Sequence, residues 1–320
     1  MGNGKMGRDT GRFREEIIEA LIGAGALKAG CAPAGEIAAE EYGRYCNWIQ
    51  FGKNGGMDYL SRHQELRKHT DNVLPGAKTV ISMAFSYVPE KWRNPALPKI
   101  AAYAYGKDYH EVIRQRLQPL LREFKEKYGG VWRLCIDSAP VAEKYWAQKC
   151  GIGEVGKNGL IFTDKAGSLC VLAEILTTLV LCENNEEIER KSSSKIDCSD
   201  CDACIRNCPG QALSENGLLD ARRCINYLTI EHRGEWDEEQ KEILRKARSP
   251  LFGCDICIRV CPRNRDIKPT NIPEFQALKD VVNLDRGELE KIDEREFKLI
   301  FKESPIKRMT FDGLKRWEEL

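Results

Sequence analysis

An α/β (or α+β) domain over residues 1–190, a compact metal-holding module over 191–265 and a helical tail over 266–320 are the architecture this sequence predicts. Two observations predict it. Apolar residues recur at helical and then strand spacings, in alternation, as far as Leu181. Eight of the fourteen cysteines then fall in the 64 residues from Cys198 to Cys261, while the other six are scattered between Cys31 and Cys182. With 320 residues, 42% of them hydrophobic, the chain can build a sizeable core.

The elements follow in order. Phe13, Ile17, Ile18, Leu21 and Ile22 recur at helical spacing. Residues 78–85 (KTVISMAF) read as a buried strand entered through the Pro75-Gly76 turn. Residues 108–127 form an amphipathic helix with Val112, Ile113, Leu117, Leu120 and Leu121 on one side. A strand is expected over 131–136. Ser138-Ala139-Pro140 then reads as a cap with proline in the first turn of a helix running to Cys150. Residues 160–163 and 170–181 supply further strand or buried helix. The polar, charged stretch 183–197 is the expected boundary, and the tail reads as charged helix behind a proline-containing lead-in.

Bulk properties narrow the classes. No run of eighteen apolar residues occurs, so no membrane span is expected. Residues 1–14 lack the apolar core of a secretory signal, and Met6 stands where a myristoylation site needs Ser or Thr. A cytoplasmic monomer is expected, and clustered thiols in such a chain point to metal rather than to a secreted disulfide scaffold. The net charge is only +1, but residues 241–268 carry eight Lys or Arg against three acids. That excess either offsets anionic groups in the module or marks a nucleic-acid surface.

The cysteine spacing is specific. Cys198, Cys201, Cys204 and Cys208, followed by Pro209, form C-x2-C-x2-C-x3-C-P, the bacterial ferredoxin run that holds [4Fe–4S] clusters. Two-residue gaps let a tight loop aim three thiolates at one cubane while the fourth points to a second. Cys254, Cys257 and Cys261, followed by Pro262, repeat the pattern one cysteine short, and Cys224 supplies the missing ligand. By the crossover rule, Cys198, Cys201, Cys204 and Cys261 hold one cluster, and Cys208, Cys224, Cys254 and Cys257 hold the other. Zinc sites do not need this spacing. Cys31, Cys46, Cys135, Cys150, Cys170 and Cys182 show no ligand pattern and read as buried free thiols.

Asp137 ends a strand and precedes a helix, a position that faces the ligand crevice of open α/β sheets. It reads either as a helix cap or as a proton donor with a raised pKa. Gly151, Gly153 and Gly156 match G-x-G-x-x-G, but they follow a helix and precede a strand, the reverse of a dinucleotide site. They are expected to let backbone approach a large flat ligand. Residues 105–110 (YGKDYH) form a second polar–aromatic cluster at a helix start. A crevice beside an electron wire must accept single electrons, and flavin, corrinoid or a bare substrate all remain open on residue chemistry alone.

Residues 57–63 (MDYLSRH), 105–110, 136–161 (IDSAPVAEKYWAQKCGIGEVGKNGLI), 219–234 (LDARRCINYLTIEHRG) and 251–264 (LFGCDICIRVCPRN), with the first cysteine run, resemble the epoxyqueuosine reductases over roughly residues 13–310. The resemblance implies a cobalamin-binding domain related to reductive dehalogenases ahead of a two-[4Fe–4S] module. It implies reduction of the epoxide of epoxyqueuosine at the tRNA wobble position, with electrons from an external flavodoxin- or ferredoxin-type donor. Asp137 takes the family's proton-donor position. Lys157 and the backbone of Ile161, Phe162 and Thr163 take positions lining the corrin. Arg67, Ala101, Leu172, Asn226 and Asp255 fall at further cobalamin contacts, and cobalamin is expected base-off. Longer relatives add a C-terminal HEAT-like domain that this sequence would lack. A dehalogenase-like corrinoid reductase acting on a small molecule and a non-catalytic electron carrier are the alternatives.

Overall fold

The computed structural model describes residues 3–182 and 198–320, so the expected boundary at 183–197 lies outside the described residues. Helix α1 (Asn3–Gly23) leads into strand β1 (Lys28–Pro33), and helices α2 (Ala39–Gln50), α3 (Asp58–Arg62) and α4 (Gln64–Lys68) precede strand β2 (Thr79–Ser86). Helix α5 (Tyr109–Tyr128), strand β3 (Trp132–Cys135) and helix α6 (Glu143–Lys149) follow. A short hairpin, β4 (Glu154–Val155) with β5 (Ile161–Phe162), and strand β6 (Cys170–Thr177) complete this part.

The main sheet runs β1-β2-β6-β3 with every pair antiparallel. All eight residues of β2 are buried, as its near-continuous apolar run requires of a central strand. Alternation then sorts its side chains. Ile81, Met83 and Phe85 face Ile17, Leu21, Ile113 and Leu117 of α1 and α5. Val80 and Ala84 face Trp146, Ala147 and Cys150 around α6. Because the sheet is antiparallel, the crevice argument for parallel sheets does not apply to Asp137, and other elements must position it.

Strand and helix expectations over 78–85, 108–127, 131–136 and 170–181 match β2, α5, β3 and β6 to within a few residues, and 170–181 resolves as strand. Two differ. Strand β1 (KAGCAP) has no β-branched residue and was not expected; it forms because β2 offers a free edge, and Gly30 lets the Cys150 carbonyl come where a Cβ would collide. The expected cap at Ser138 does not form. Helix α6 begins only after Ala142, which makes no side-chain cap, and residues 138–142 remain a loop.

The cysteine module contains helices α7 (Ala203–Arg206), α8 (Glu238–Lys246) and α9 (Ile256–Arg259), with α7 packed against α9. It docks on the sheet part along one seam. Ala101 N–H donates to the Phe252 carbonyl at 2.7 Å, and Ala102 N–H donates to Asp255 Oδ2 at 2.6 Å. The tail adds α10 (Lys279–Val282), α11 (Arg286–Lys291), α12 (Glu294–Ile300) and α13 (Thr310–Glu318). Capping boxes at Asp285 and Asp293 start α11 and α12. The tail is more than a charged helix: Leu289, Phe297, Phe301, Leu314 and Trp317 are buried in the same core as Phe85 and Phe252. Trp317, 1% exposed, donates its indole N–H to the Ser249 carbonyl. Trp317→Ala is expected to cost about 3–5 kcal/mol, read as a lower denaturant midpoint.

Candidate active site

Asp137 sits at the apex of a tight turn just beyond β3. Its φ of 50° lies in the left-handed region, and Ser138 N–H bonds back to the Ile136 carbonyl at 2.5 Å. Asp tolerates this conformation better than most residues. The turn lifts the side chain away from the sheet, leaving it 59% exposed. On its other side Oδ2 accepts from the Tyr109 hydroxyl at 3.0 Å and faces His110 Nε2 at 3.2 Å. Both partners come from the first turn of α5, whose N-cap Asp108 accepts from His110 N–H.

The ring of His110 is held at its second nitrogen too: Nδ1 lies 2.8 Å from Asp108 Oδ1, and Lys307 from the tail pairs with Asp108 Oδ2 at 2.8 Å. The backbone of this corner is also fixed by the tail. Lys107 N–H donates to the Glu274 carbonyl, and Asp108 N–H donates to that of Glu303. Tyr109, His110 and Asp137 stand out in the sequence, whereas Lys307, 170 positions from Asp137, carries no sequence signal.

Electrostatics follow from this geometry. Partial burial pushes the Asp137 carboxyl up, but the His110 bond and charge, with the Tyr109 hydroxyl, bring it below the ordinary carboxylate value. The raised pKa expected for Asp137 is therefore not found in this state. Burial works against a charged His110, yet Asp108 and Asp137 outweigh it and lift the ring to about 9. Glu143, at the start of α6, is pushed up to about 7 by burial and then by the Asp137 charge, and its Oε1 has no partner.

From Asp137 a run of aromatic rings leads to the module. Tyr103 packs edge-on against Tyr109, with ring centroids 6.1 Å apart, and lies tilted against Phe252, with centroids 6.0 Å apart. Beyond Phe252, Ala101, Asn226 and Asp255 come together: Asn226 Oδ1 accepts from Cys254 N–H, and Asp255 accepts from Ala102 N–H, each at 2.6 Å. Burial pushes the Asp255 carboxyl up to about 6.

The remaining expected cofactor contacts are placed differently. Arg67 donates to the Val141 carbonyl behind the Asp137 loop, and its Nε has no partner. Lys157 belongs to the cysteine region: its N–H reaches Cys198 Sγ at 3.4 Å, and its ammonium bonds the Ser199 carbonyl and Glu215. Ile161 and Leu172 pack on the α6 face of the sheet. Phe162 is covered by the Arg263 guanidinium at 4.6 Å, and Thr163 bonds Gly167 across a small loop. Gly153 does let backbone come close, but what approaches is the Phe162 carbonyl of β5, not a ligand.

Among the described residues no three Cys, His, Asp or Glu side chains converge closely enough for a single metal ion. The eight module cysteines nevertheless sort into two neighbourhoods. Burial and then Cys198 raise the Cys204 thiol, and burial with Cys198 and Cys201 raises Cys261. Burial with Cys224 and Cys208 raises Cys254, and Cys257 adds Cys254 to the same neighbours. Peptide N–H groups approach these sulfurs, as from Ala212 to Cys208 at 3.3 Å. Crowded, N–H-facing thiols of this kind suit deprotonation by a cationic iron–sulfur group. Of the other six, Cys135 and Cys150 are buried and the rest half-buried.

The basic stretch at 241–268 is largely occupied. Lys241 and Arg245 pair with Glu238, Lys246 with Glu242 and Arg263 with Glu154, while Arg259 covers Trp92. A different basic surface borders the Asp137 loop. A cleft of about 740 Å³ between α5, β3 and residues 138–140 is lined by Arg114, Arg122, Lys125 and Arg133 and, among the described residues, by no acid.

Residues 67–138 match the family described as Epoxyqueuosine reductase QueG, DUF1730, and residues 197–264 match a 4Fe-4S double cluster binding domain. The chain is 36% identical over 310 residues to an epoxyqueuosine reductase of Cellulophaga algicola, covering 96% of this chain and 98% of that one. It is 36% identical over 277 residues to the enzyme of Pseudomonas aeruginosa, covering 84% and 73%. Among solved structures, an epoxyqueuosine reductase with a tRNA-Tyr epoxyqueuosine-modified tRNA stem loop superposes with a TM-score of 0.83 at 26% identity, covering 97% of this chain and 80% of that one. The Streptococcus thermophilus enzyme gives 0.77 at 26% identity, covering 95% and 79%. With 36% identity over 96% of its own length and 98% of that relative's, the chain belongs to the epoxyqueuosine reductase family.

Proposed function

We propose that this chain reduces the epoxide of epoxyqueuosine, at the wobble position of tRNA, to the alkene of queuosine. The observation that carries the reading is the placement of Asp137: a half-exposed carboxylate on a turn, joined through Tyr109, Tyr103 and Phe252 to the cysteine module. An acid and an electron entry then serve one crevice.

Two [4Fe–4S] clusters, held by Cys198, Cys201, Cys204 and Cys261 and by Cys208, Cys224, Cys254 and Cys257, fit the two thiol neighbourhoods. Cobalamin also fits: Arg67 Nε, Glu143 Oε1 and Asn158 Nδ2 are buried polar atoms without partners, which a ligand rich in amide groups would satisfy. Ala101, Asn226 and Asp255 would hold it beside the second cluster, with Arg67, Lys157, Ile161, Phe162, Thr163 and Leu172 as outer contacts. Bound there, cobalamin would supply low-potential chemistry at cobalt, fed one electron at a time through the clusters from a flavodoxin- or ferredoxin-type donor. We place cobalamin in the base-off state, and three of the four histidines have partners within the chain. His110 is committed to two aspartates, His69 accepts from Asp71 N–H, and His232 faces the Glu235 carbonyl.

The chain's own residues do the rest. Asp137 delivers a proton to the oxygen as it leaves carbon, sparing the formation of a free alkoxide. Tyr109 and His110 fix the direction of its carboxylate. The cleft beside the Asp137 loop offers Arg122 and Lys125 to the phosphates flanking a nucleotide drawn out of the anticodon stack, while Arg114 pairs with Glu111 and Arg133 bonds the Val73 carbonyl. No described helix is long and apolar enough to cross a membrane, and we place the enzyme in the cytoplasm as a monomer.

Incubating loaded protein with epoxyqueuosine-tRNA and a reductant, then analysing nucleosides, tests the reading directly: queuosine must appear. Asp137→Asn is expected to cut turnover about 10²–10⁴-fold while iron and corrinoid contents stay the same. Arg122→Glu combined with Lys125→Glu is expected to weaken tRNA binding and flatten its salt dependence by about two phosphate contacts. Cys224→Ser is expected to lower bound iron from about eight to about four per chain.

A further inference from the structure

The reaction needs more protons than one carboxyl group can supply without being recharged. Converting an epoxide to an alkene breaks both C–O bonds, forms one C=C π bond and releases the oxygen as water. It therefore consumes two electrons and two protons. The clusters and their external donor account for the electrons. Asp137 can carry one proton at a time, and in this state its carboxyl is held in the ionised form.

The geometry around His110 identifies where the proton waits. Its Nδ1 is 2.8 Å from Asp108 Oδ1, and its Nε2 is 3.2 Å from Asp137 Oδ2. Ionised carboxylates only accept hydrogen bonds, and a neutral imidazole has a single N–H to give. A ring that serves a carboxylate at each nitrogen is therefore an imidazolium. Resting on the functional reading above, we propose that His110 stores, as imidazolium, the proton that Asp137 passes to the departing oxygen, and that Asp108 and Lys307 hold the ring in place for that transfer.

The two aspartates are not equivalent, and this sets the direction. Asp108 also receives His110 N–H at 3.1 Å and the Lys307 ammonium at 2.8 Å, and its side chain is only 10% exposed. Burial raises its carboxyl, but these partners outweigh burial and keep it ionised. The backbone at Lys307 is anchored by the neighbouring Ile306, which is fully buried. Asp137 instead turns a free side to solvent, its side chain being 59% exposed. The other groups facing it include Tyr109, stacked on the His110 ring at 4.1 Å, Tyr59, Tyr103, the Glu143 carboxyl, the Lys144 ammonium and the Arg308 guanidinium. A nucleoside docking over Asp137 excludes solvent from that side and disfavours the charged carboxylate. The proton then moves from Nε2 to Oδ2 and on to the substrate oxygen. The ring, now neutral, takes up another proton from solvent for the second transfer.

The test uses the full, cluster- and corrinoid-loaded chain. Nitrogen-15 spectra of the four histidines give the His110 titration, assigned by its loss in His110→Gln. Wild-type His110 is expected to stay charged until pH climbs through about 9, with kcat falling over the same range. Asp108→Asn keeps a competent helix cap but removes one charge. It is expected to move both the ring titration and the alkaline limb of kcat about one to three pH units lower, leaving KM for tRNA unchanged. His110→Gln is expected to lower kcat about 10²-fold and abolish that limb. A ring that titrates near the ordinary 6.5, or an alkaline limb that stays put while the ring moves, overturns the proposal. Wild-type protein with a charged ring that leaves epoxyqueuosine-tRNA unreduced overturns the functional reading together with the delivery step.

Discussion

Ala102 N–H meets the Asp255 carboxylate at 2.6 Å, between two of the cysteines assigned to one cluster. With the Ala101 to Phe252 bond beside it, this contact fixes where the cysteine module sits against the antiparallel sheet. Much of the site's layout follows from that registration. The segment that docks on the module continues through Tyr103 to the Asp108 cap and the first turn of α5. A shift at Asp255 would therefore move Tyr109 and His110 relative to Asp137. The contacts that dock the cysteine module and the partners of Asp137 are held on one piece of chain.

The tail completes this arrangement from the outside. Lys307 reaches Asp108, the Glu303 and Glu274 carbonyls receive N–H groups of the 107–108 corner, and Arg308 pairs with Glu231. Its large apolar residues share the core of the sheet and the module. Three stretches distant in sequence thus share one apolar interior, and the charged groups near Asp137 are supported by side chains that never touch it. Asp137 itself remains on a turn with positive φ, its side chain 59% exposed where that of Asp108 is 10% exposed.

Legibility from sequence followed the range of the interactions. The strand KTVISMAF and the amphipathic helix over 108–127 depend on the spacing of apolar residues within one element, and both appear with nearly the expected bounds. The cysteine runs are equally local, because cluster ligation constrains spacing before any packing does. Strand β1 escaped notice because KAGCAP has no intrinsic strand signal and owes its form to the edge of β2. The expected Ser138 cap does not form for a similar reason: the turn at Asp137 redirects the chain before a helix can start. Gly153 serves the approach of β5 rather than of a ligand, and much of the basic stretch at 241–268 faces acids and aromatic rings of its own chain.

The residue types needed for the chemistry were determined by the sequence alone: paired ferredoxin-type cysteine runs, an aspartate beyond a strand, and a YGKDYH helix start, in a combination similar to one enzyme family. Only the tertiary structure decided how the carboxylates are charged and which of them can change. A pKa depends on neighbours within a few ångströms, and those neighbours come from α5, the 136–138 turn and the tail. No local pattern could place Lys307 on Asp108, or put carboxylates on both nitrogens of His110, because those contacts exist only once the shared core has closed.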